Sequence, residues 1–427
     1  MNVGSTTVAI ERVASSARSK SWNKQQPFAH SLAIAFLLAL TLSATQPTRA
    51  QTFTVLHPFT GSPDGAVPYG GVVMDAKGNL YGTTEEGGTQ GLGTVFKVTA
   101  AGSESVYYSF ARLTGGLLSQ GTLTRDAKGN LYGTTFYGGD PKCGGGLGCG
   151  TVFKIATNRK ETVLHTFKDG KDGAAPLAGV ILDKKSNLYG TAVAGGDLNC
   201  TLGGMYAGCG VVFRLNPAGA EMVLHKFSGP DGVGPEASLV MDTSGNLYGT
   251  TFSGPGKNGV GEVFKVSAGD KVVVLHGFAG PPEDGLLSVA GVIRDKAGNL
   301  YGTTPEGGTG GCNGLGCGTI FEVSSKGKEK VLYNFTGGTD GGYPVGSLVM
   351  DAHGNLYGTA EQYGTAGHGT VYELSATGTL TVLHAFTGGA DGAVPNGPLV
   401  FDAKGNLYGT ASSGGTGGNG TVYKITP

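Results

Sequence analysis

Charge is scarce in this 427-residue chain: 14% of residues are Asp, Glu, Lys or Arg, and the formal net charge is −1. The basic footprint of a nucleic-acid binder is missing, so nucleic acid is not an expected partner. Collagen is excluded because the 81 glycines follow no Gly-X-Y period. The same glycine content excludes a long helical rod, and a hydrophobic content of 39% argues against disorder. Strong catalytic signatures are absent too, with no His-Glu-x-x-His, no Gly-x-x-x-x-Gly-Lys-Ser/Thr and no Gly-x-Ser-x-Gly. What remains is a glycine-rich, turn-rich chain of all-β character.

Residues 1–50 differ in composition from the rest and read as a Sec-type signal peptide. Arg12, Arg18, Lys20 and Lys24 form a basic leader, and an apolar run extends from Leu32 to Ala44. Thr48-Arg49-Ala50 supplies a small-x-small cleavage site after Ala50. The run is shorter than the roughly 20 residues a membrane-spanning helix needs. The mature chain, 51–427, is therefore expected to be secreted or periplasmic, without a transmembrane anchor. The single tryptophan, Trp22, leaves with the leader.

Beyond residue 50 the chain repeats itself. Asn-Leu-Tyr-Gly-Thr begins at Asn79, Asn130, Asn187, Asn246, Asn299, Asn355 and Asn406, at spacings of 51 to 59 residues. Each repeat holds four short segments of strand character separated by turn residues, the signature of a β-propeller. The first two segments are joined by Asp-x-x-Gly-Asn, which suits a type I turn followed by a left-handed residue. Ser186 stands where the other six repeats have that Gly, which predicts a small strain at positive φ. The chain opens with an unpartnered fourth-type strand, Thr54 to Phe59, and closes with a three-stranded repeat, Pro398 to Ile425. Placing the first on the outside of the last completes seven four-stranded antiparallel blades and closes the ring.

The repeat unit runs Gly-Asn-Leu-Tyr-Gly-Thr-Thr, then Gly-Gly, Gly-Thr-Val-Phe-Lys-Val, Thr-Val-Leu-His-x-Phe and Asp-Gly-x-x-Pro. Over residues 53 to 427 it resembles the GloVer tandem repeat of bacterial choice-of-anchor proteins, and more loosely the blades of NHL and streptogramin-lyase-type propellers. The resemblance implies an exported bacterial propeller. Relatives often carry a C-terminal sorting or anchoring tail, whereas this sequence stops at Pro427, so attachment by such a tail is not expected.

Recurrence among blades separates structural residues from candidate functional ones. His57, His165, His225, His276 and His384 share one position of the fourth strand, with Tyr108 and Tyr333 in the other two blades. They read as rings packed between blades, each with one nitrogen bonded to a neighbour. The hairpin Asp, from Asp75 to Asp402, reads as a turn residue. The Asp-Gly elements at Asp64, Asp172, Asp231, Asp284, Asp340 and Asp391 read as turns in the linkers between blades. Calcium there is the competing idea, but an isolated Asp-Gly lacks the several oxygen ligands that ion requires. No metal and no cofactor are expected.

The first strand of each repeat, assigned to the channel wall, is apolar in most blades (Val72-Val-Met, Leu239-Val-Met), leaving Arg125 and Arg294 as channel candidates. Loops joining blades and loops joining second to third strands share one face, where the blade-specific residues gather. Glu85, Glu86, Phe136, Tyr137, Glu306, Glu361, Tyr363 and His368 form the candidate ligand site, since variable loops on a rigid scaffold are where binding residues concentrate. Carboxylates there can bond sugar hydroxyls, and aromatic rings can stack on a sugar face.

The six cysteines fall as close pairs, Cys143 with Cys149, Cys200 with Cys209 and Cys312 with Cys317, which predicts three local disulfides in an oxidising compartment. A four-Cys zinc site between the second and third blades is the competing arrangement. The expected function is that of a monomeric, non-enzymatic binding or scaffold protein for an extracellular glycan or protein. The alternative is a propeller hydrolase or lyase acting on extracellular polysaccharide.

Overall fold

The computed structural model describes residues 51–111, 116–168, 170–200, 206–254 and 259–426; the leader at 1–50 lies outside them. The described chain is all-β, with seven four-stranded antiparallel sheets, each in simple sequential order except the last. We number blades 1 to 7 by the repeats beginning at Asn79 through Asn406, and strands from inner to outer.

Blade 1 shows the pattern: Val73–Met74, Leu80–Thr84, Thr94–Val98 and Glu104–Ser109. The middle strands are almost wholly buried because each blade packs between two others. Alternate residues meet the two neighbours, so Val95 and Phe96 are both fully buried. The outer strand is only half-buried and carries a bulge between Val95 and Phe96 of its partner. Seven clusters of buried side chains fill the ring. Each lies at a seam and holds an aromatic contact between two blades, such as Phe110 on Phe153 and Phe278 on Phe321, edge to face at 5.2 and 5.1 Å.

Blade 7 is completed by the start of the chain. Thr52–Pro58 pairs antiparallel with Thr421–Thr426, from Thr52 opposite Thr426 to Pro58 opposite Thr421. A second closure lies nearer the axis. In six of the seven blades the fourth residue of the second strand, a threonine, donates to a carbonyl of the next blade, for example Thr134 to Ala178 at 2.8 Å and Thr250 to Ala290 at 2.9 Å. Thr410 of blade 7 donates to Gly70 of blade 1 at 2.8 Å, joining residues 340 positions apart.

The inner hairpins have the expected geometry. Asp75 accepts from the backbone N–H groups of Lys77 and Asn79 with one oxygen, and from the Asn79 amide and the Tyr81 hydroxyl with the other. Gly78 has φ +78°, and Ser186 takes the same left-handed turn at φ +63°. Ser186→Gly should therefore stabilise the protein by about 0.5–1 kcal/mol, because the Cβ penalty at positive φ exceeds the extra entropy that Gly loses. The urea midpoint measures it, and an unchanged midpoint would count against the strain.

All three local disulfides are formed, Cys143–Cys149, Cys200–Cys209 and Cys312–Cys317, with Cα separations of 5.5, 5.5 and 5.0 Å. No free cysteine remains for a zinc site among the described residues. The histidines find their partners in the linker aspartates: His57 Nε2 lies 3.1 Å from Asp64, His276 3.0 Å from Asp284 and His384 3.0 Å from Asp391. The Asp-Gly element thus closes its own turn, through Thr60 N–H to Asp64 at 3.0 Å, and also fixes the ring of the preceding strand.

Candidate functional site

One cavity draws on every blade. Its walls are the residues just before each inner strand, including Gly70, Gly121, Gly179, Ala237, Ala290, Gly346 and Gly397, so it lies on the ring axis. It holds about 150 Å³ and opens to solvent.

Chain geometry at this mouth is set by a strained turn present in all seven blades. Val67, Leu118, Ala175, Gly234, Leu287, Tyr343 and Val394 have φ between +57° and +65°. Six of them carry a Cβ, and such conformations persist only where surrounding structure over-determines them. Here it does: Val67 N–H donates to Asn419 of the preceding blade, and Val67 C=O accepts from Glu85. A Pro or Ser follows, and the next residue points at the axis. That next position reads Tyr69, Gln120, Leu177, Glu236, Val289, Val345 and Asn396, all lining the cavity.

The mouth is therefore chemically divided. Asn396, Tyr69 and Gln120 come from the contiguous blades 7, 1 and 2. Leu177, Val289 and Val345 come from blades 3, 5 and 6, with Glu236 set among them in blade 4. Burial pushes the Glu236 carboxyl up to about 7. Burial, and then the nearby carboxylates of Glu361, Glu85 and Glu236, push the Tyr69 phenol up to about 12, although the ring is still 37% exposed. Asn396 is 4% exposed, and neither its Oδ1 nor its Nδ2 makes a hydrogen bond of normal geometry. Its amide lies against the Tyr69 hydroxyl, close enough to ease ionisation of the phenol slightly. A buried amide with both ends unpaired in a cavity wall is a group prepared for a partner.

Of the residues singled out from sequence, this mouth gathers two. Glu85 and Glu361 follow the second strands of blades 1 and 6 and reach Tyr69 electrostatically. Burial raises both carboxyls above the usual range, Glu85 despite a bond from Gln120 that opposes the rise. Phe136, at the corresponding position of blade 2, packs edge-on against Tyr137 at 4.6 Å. The others are not brought together. Glu86 is exposed, and its backbone pairs with Ala66. Glu306 pairs with Leu286 in a two-residue bridge, Tyr363 stacks on Tyr343, and His368 packs against Gly388.

Arg125 and Arg294 do not line this cavity. Each is the second residue of a two-residue inner strand, immediately before the hairpin Asp, and so lies at the far end of that strand from the mouth. Arg294 is exposed and stacks over Tyr248 of the neighbouring blade at 5.7 Å.

Sequence reasoning missed the axial ring because it began the channel wall at Val72, three residues too late. The signal was available. The position after Pro or Ser differs in nearly every blade within an otherwise recurring segment, from Val67-Pro68-Tyr69 to Val394-Pro395-Asn396.

A model of the Gloeobacter/Verrucomicrobia repeat matches the chain over residues 41–202, 198–317 and 284–427. No curated protein matches it. Among solved structures it is similar to the extracellular domain of a hybrid two-component system protein from B. thetaiotaomicron. That match has 14% identity and a TM-score of 0.54, over 88% of this chain and 41% of the other. The extracellular domain of a one-component system protein from the same organism matches with 12% identity and a TM-score of 0.53, over 88% and 42%. The chain thus spans less than half the length of these neighbours, and at such identities the likeness speaks for the fold alone. The three disulfides are consistent with a secreted or periplasmic location.

Proposed function

The chain belongs to the Gloeobacter/Verrucomicrobia repeat family, and from that premise we propose that it is an exported, monomeric binding propeller whose ligand is a carbohydrate held at the mouth of the axial channel. The observation that carries this reading is Asn396, buried and unpaired in the channel wall beside Tyr69 and Gln120. A sugar presents hydroxyls along its edge and an apolar patch on its face. The mouth offers a polar arc from blades 7, 1 and 2 opposite the aliphatic residues of blades 3, 5 and 6, with a rigid scaffold behind both. The apolar leader and the disulfide loops support export.

The test is a panel of immobilised bacterial and plant polysaccharides probed with purified mature protein. Asn396→Ala and Tyr69→Ala should each weaken retention at least tenfold while leaving the melting temperature within about 2 °C of the parent. Glu86→Ala, outside the mouth, should retain ligand fully. Equal retention by all four proteins would retire the site, and capture of a protein in place of any glycan would replace the ligand class.

A second reading rests on Glu236, the acidic residue among those that line the channel mouth, whose carboxyl burial pushes up to about 7. A buried acid in that state can exchange a proton with a glycosidic oxygen. New reducing ends or unsaturated products that vanish in Glu236→Gln would establish a hydrolase or lyase in place of a binder.

A further inference from the structure

At the rim, six of the seven seams bring together the outer-strand His or Tyr of one blade, the linker Asp that follows it, and the residue opening the outer strand of the next blade. Two seams assemble a metal-ligating set. His57, Asp64 and Glu104 meet between blades 7 and 1, and His276, Asp284 and Glu329 between blades 4 and 5; in each set the ligand atoms lie within 4.8 Å of one another. We propose that each of these two seams binds a divalent transition-metal ion of the zinc class through one imidazole nitrogen and two carboxylates.

The first argument is geometric. The Nε2–Oδ2 separations of 3.1 and 3.0 Å match the edge of a coordination polyhedron with ligands at about 2.0–2.2 Å. The carboxylates are already oriented, Asp64 by the backbone N–H of Thr60 at 3.0 Å and Asp284 by that of Ala279 at 2.8 Å. Imidazole with carboxylate is the donor set of zinc and its neighbours rather than of calcium. The His57 and Asp64 side chains keep 17% and 14% of their surface exposed, so an ion can enter from solvent.

The second argument is electrostatic. Asp64 Oδ1, Glu104 Oε1 and Glu329 Oε1 are buried without a hydrogen bond. Two carboxylates side by side in such a place call for a cation or a proton between them.

The third comes from three of the five remaining seams, which serve as controls within the same molecule. Where the glutamate is missing, the position is apolar. Phe53 stacks on His384 at 3.7 Å, and Val272 and Leu380 pack against their seam clusters. A seam therefore closes without a carboxylate, and the glutamates are not required by the architecture. A glutamate also opens the outer strand of blades 2 and 3, but Glu161 accepts from the Tyr108 hydroxyl at 2.6 Å, and beside Glu221 the His165–Asp172 separation widens to 3.6 Å; among the described residues only the seams of Glu104 and Glu329 bring all three ligand atoms within 4.8 Å of one another.

Zinc stoichiometry tests the proposal. Mature protein is equilibrated with ZnCl₂, passed into metal-free buffer and examined by native mass spectrometry and elemental analysis. The parent should hold at least two ions, Glu104→Val and Glu329→Val one fewer each, and the double variant two fewer. Valine is chosen because the chain itself uses Val272 at this position, so the variants keep a closed seam, and circular dichroism verifies their fold. Zinc should raise the melting temperature of the parent by several degrees and leave that of the double variant unmoved. A parent that binds no zinc, or a double variant that binds as much as the parent, overturns the proposal. The first of these results would leave a proton as the occupant of the seams.

Discussion

Deletion of residues 52–59 is expected to abolish the cooperative unfolding transition. The segment supplies the whole outer strand of blade 7, paired from Thr52–Thr426 to Pro58–Thr421. It also supplies Phe59, fully buried and packed edge-on against Phe96 of blade 1 at 5.1 Å. Without it one blade loses its edge, one of the seven seam contacts disappears, and the ring opens. The milder variant Phe59→Ala removes only the ring from a filled site and should cost about 3–5 kcal/mol. Denaturant titration followed by tyrosine fluorescence measures both. A truncated protein with the parent's midpoint would show that the other contacts close the ring by themselves.

Glu262→Thr should stabilise the protein, and by an amount that depends on pH. Glu262 opens the third strand of blade 4 and is 2% exposed. At the equivalent position blades 1, 2 and 5 carry a threonine whose hydroxyl pairs with one on the second strand, as in Thr84–Thr94 at 2.9 Å and Thr304–Thr319 at 2.8 Å. In blade 4 the Thr251 hydroxyl and Glu262 Oε2 both lack a hydrogen bond. Burial, with the nearby Asp231 carboxylate, pushes the Glu262 carboxyl up to about 7 from an ordinary 4.5.

The folded state therefore holds this proton more tightly than the unfolded chain does. Stability is lost as pH rises from about 4.5 through about 7, by on the order of 3 kcal/mol in all. The threonine variant removes that loss and restores the hydroxyl pair. It should exceed the parent by about 3 kcal/mol at pH 8 and by about 1 kcal/mol or less at pH 4.5. Denaturant midpoints at the two pH values decide it, and a gain independent of pH would assign the effect to packing instead of charge.

Much of this molecule was legible in the sequence because its fold is written seven times. The period, the hairpin turns and the complementary ends gave blade number, strand order and closure, and the cysteine spacings gave the disulfides. The axial ring was harder to read. Its residues precede the inner strands, which pair over only two residues, such as Val73–Met74, so a wall defined by strand character stops short of them. The buried state of Asn396 and Glu236 arises only where seven chain segments converge, and no single repeat contains it. The rim seams escaped for a related reason. His57 and Glu104 lie 47 positions apart in different repeats, and filtering by recurrence removed the histidines before their partners could be found.

The pairing of Thr52 with Thr426 also orders events in time. The first strand of the ring is the last to find its place, since its partner is the ring's seventh third strand. Blades 1 to 6 can each form from their own four strands, but the ring has no way to shut until Thr52–Pro58 and Thr421–Thr426 meet. A chain lacking either segment is thus an open arc with an exposed edge at each end. Closure and acquisition of the native state become a single event, and a proteolytic quality check needs to recognise only an unpaired edge.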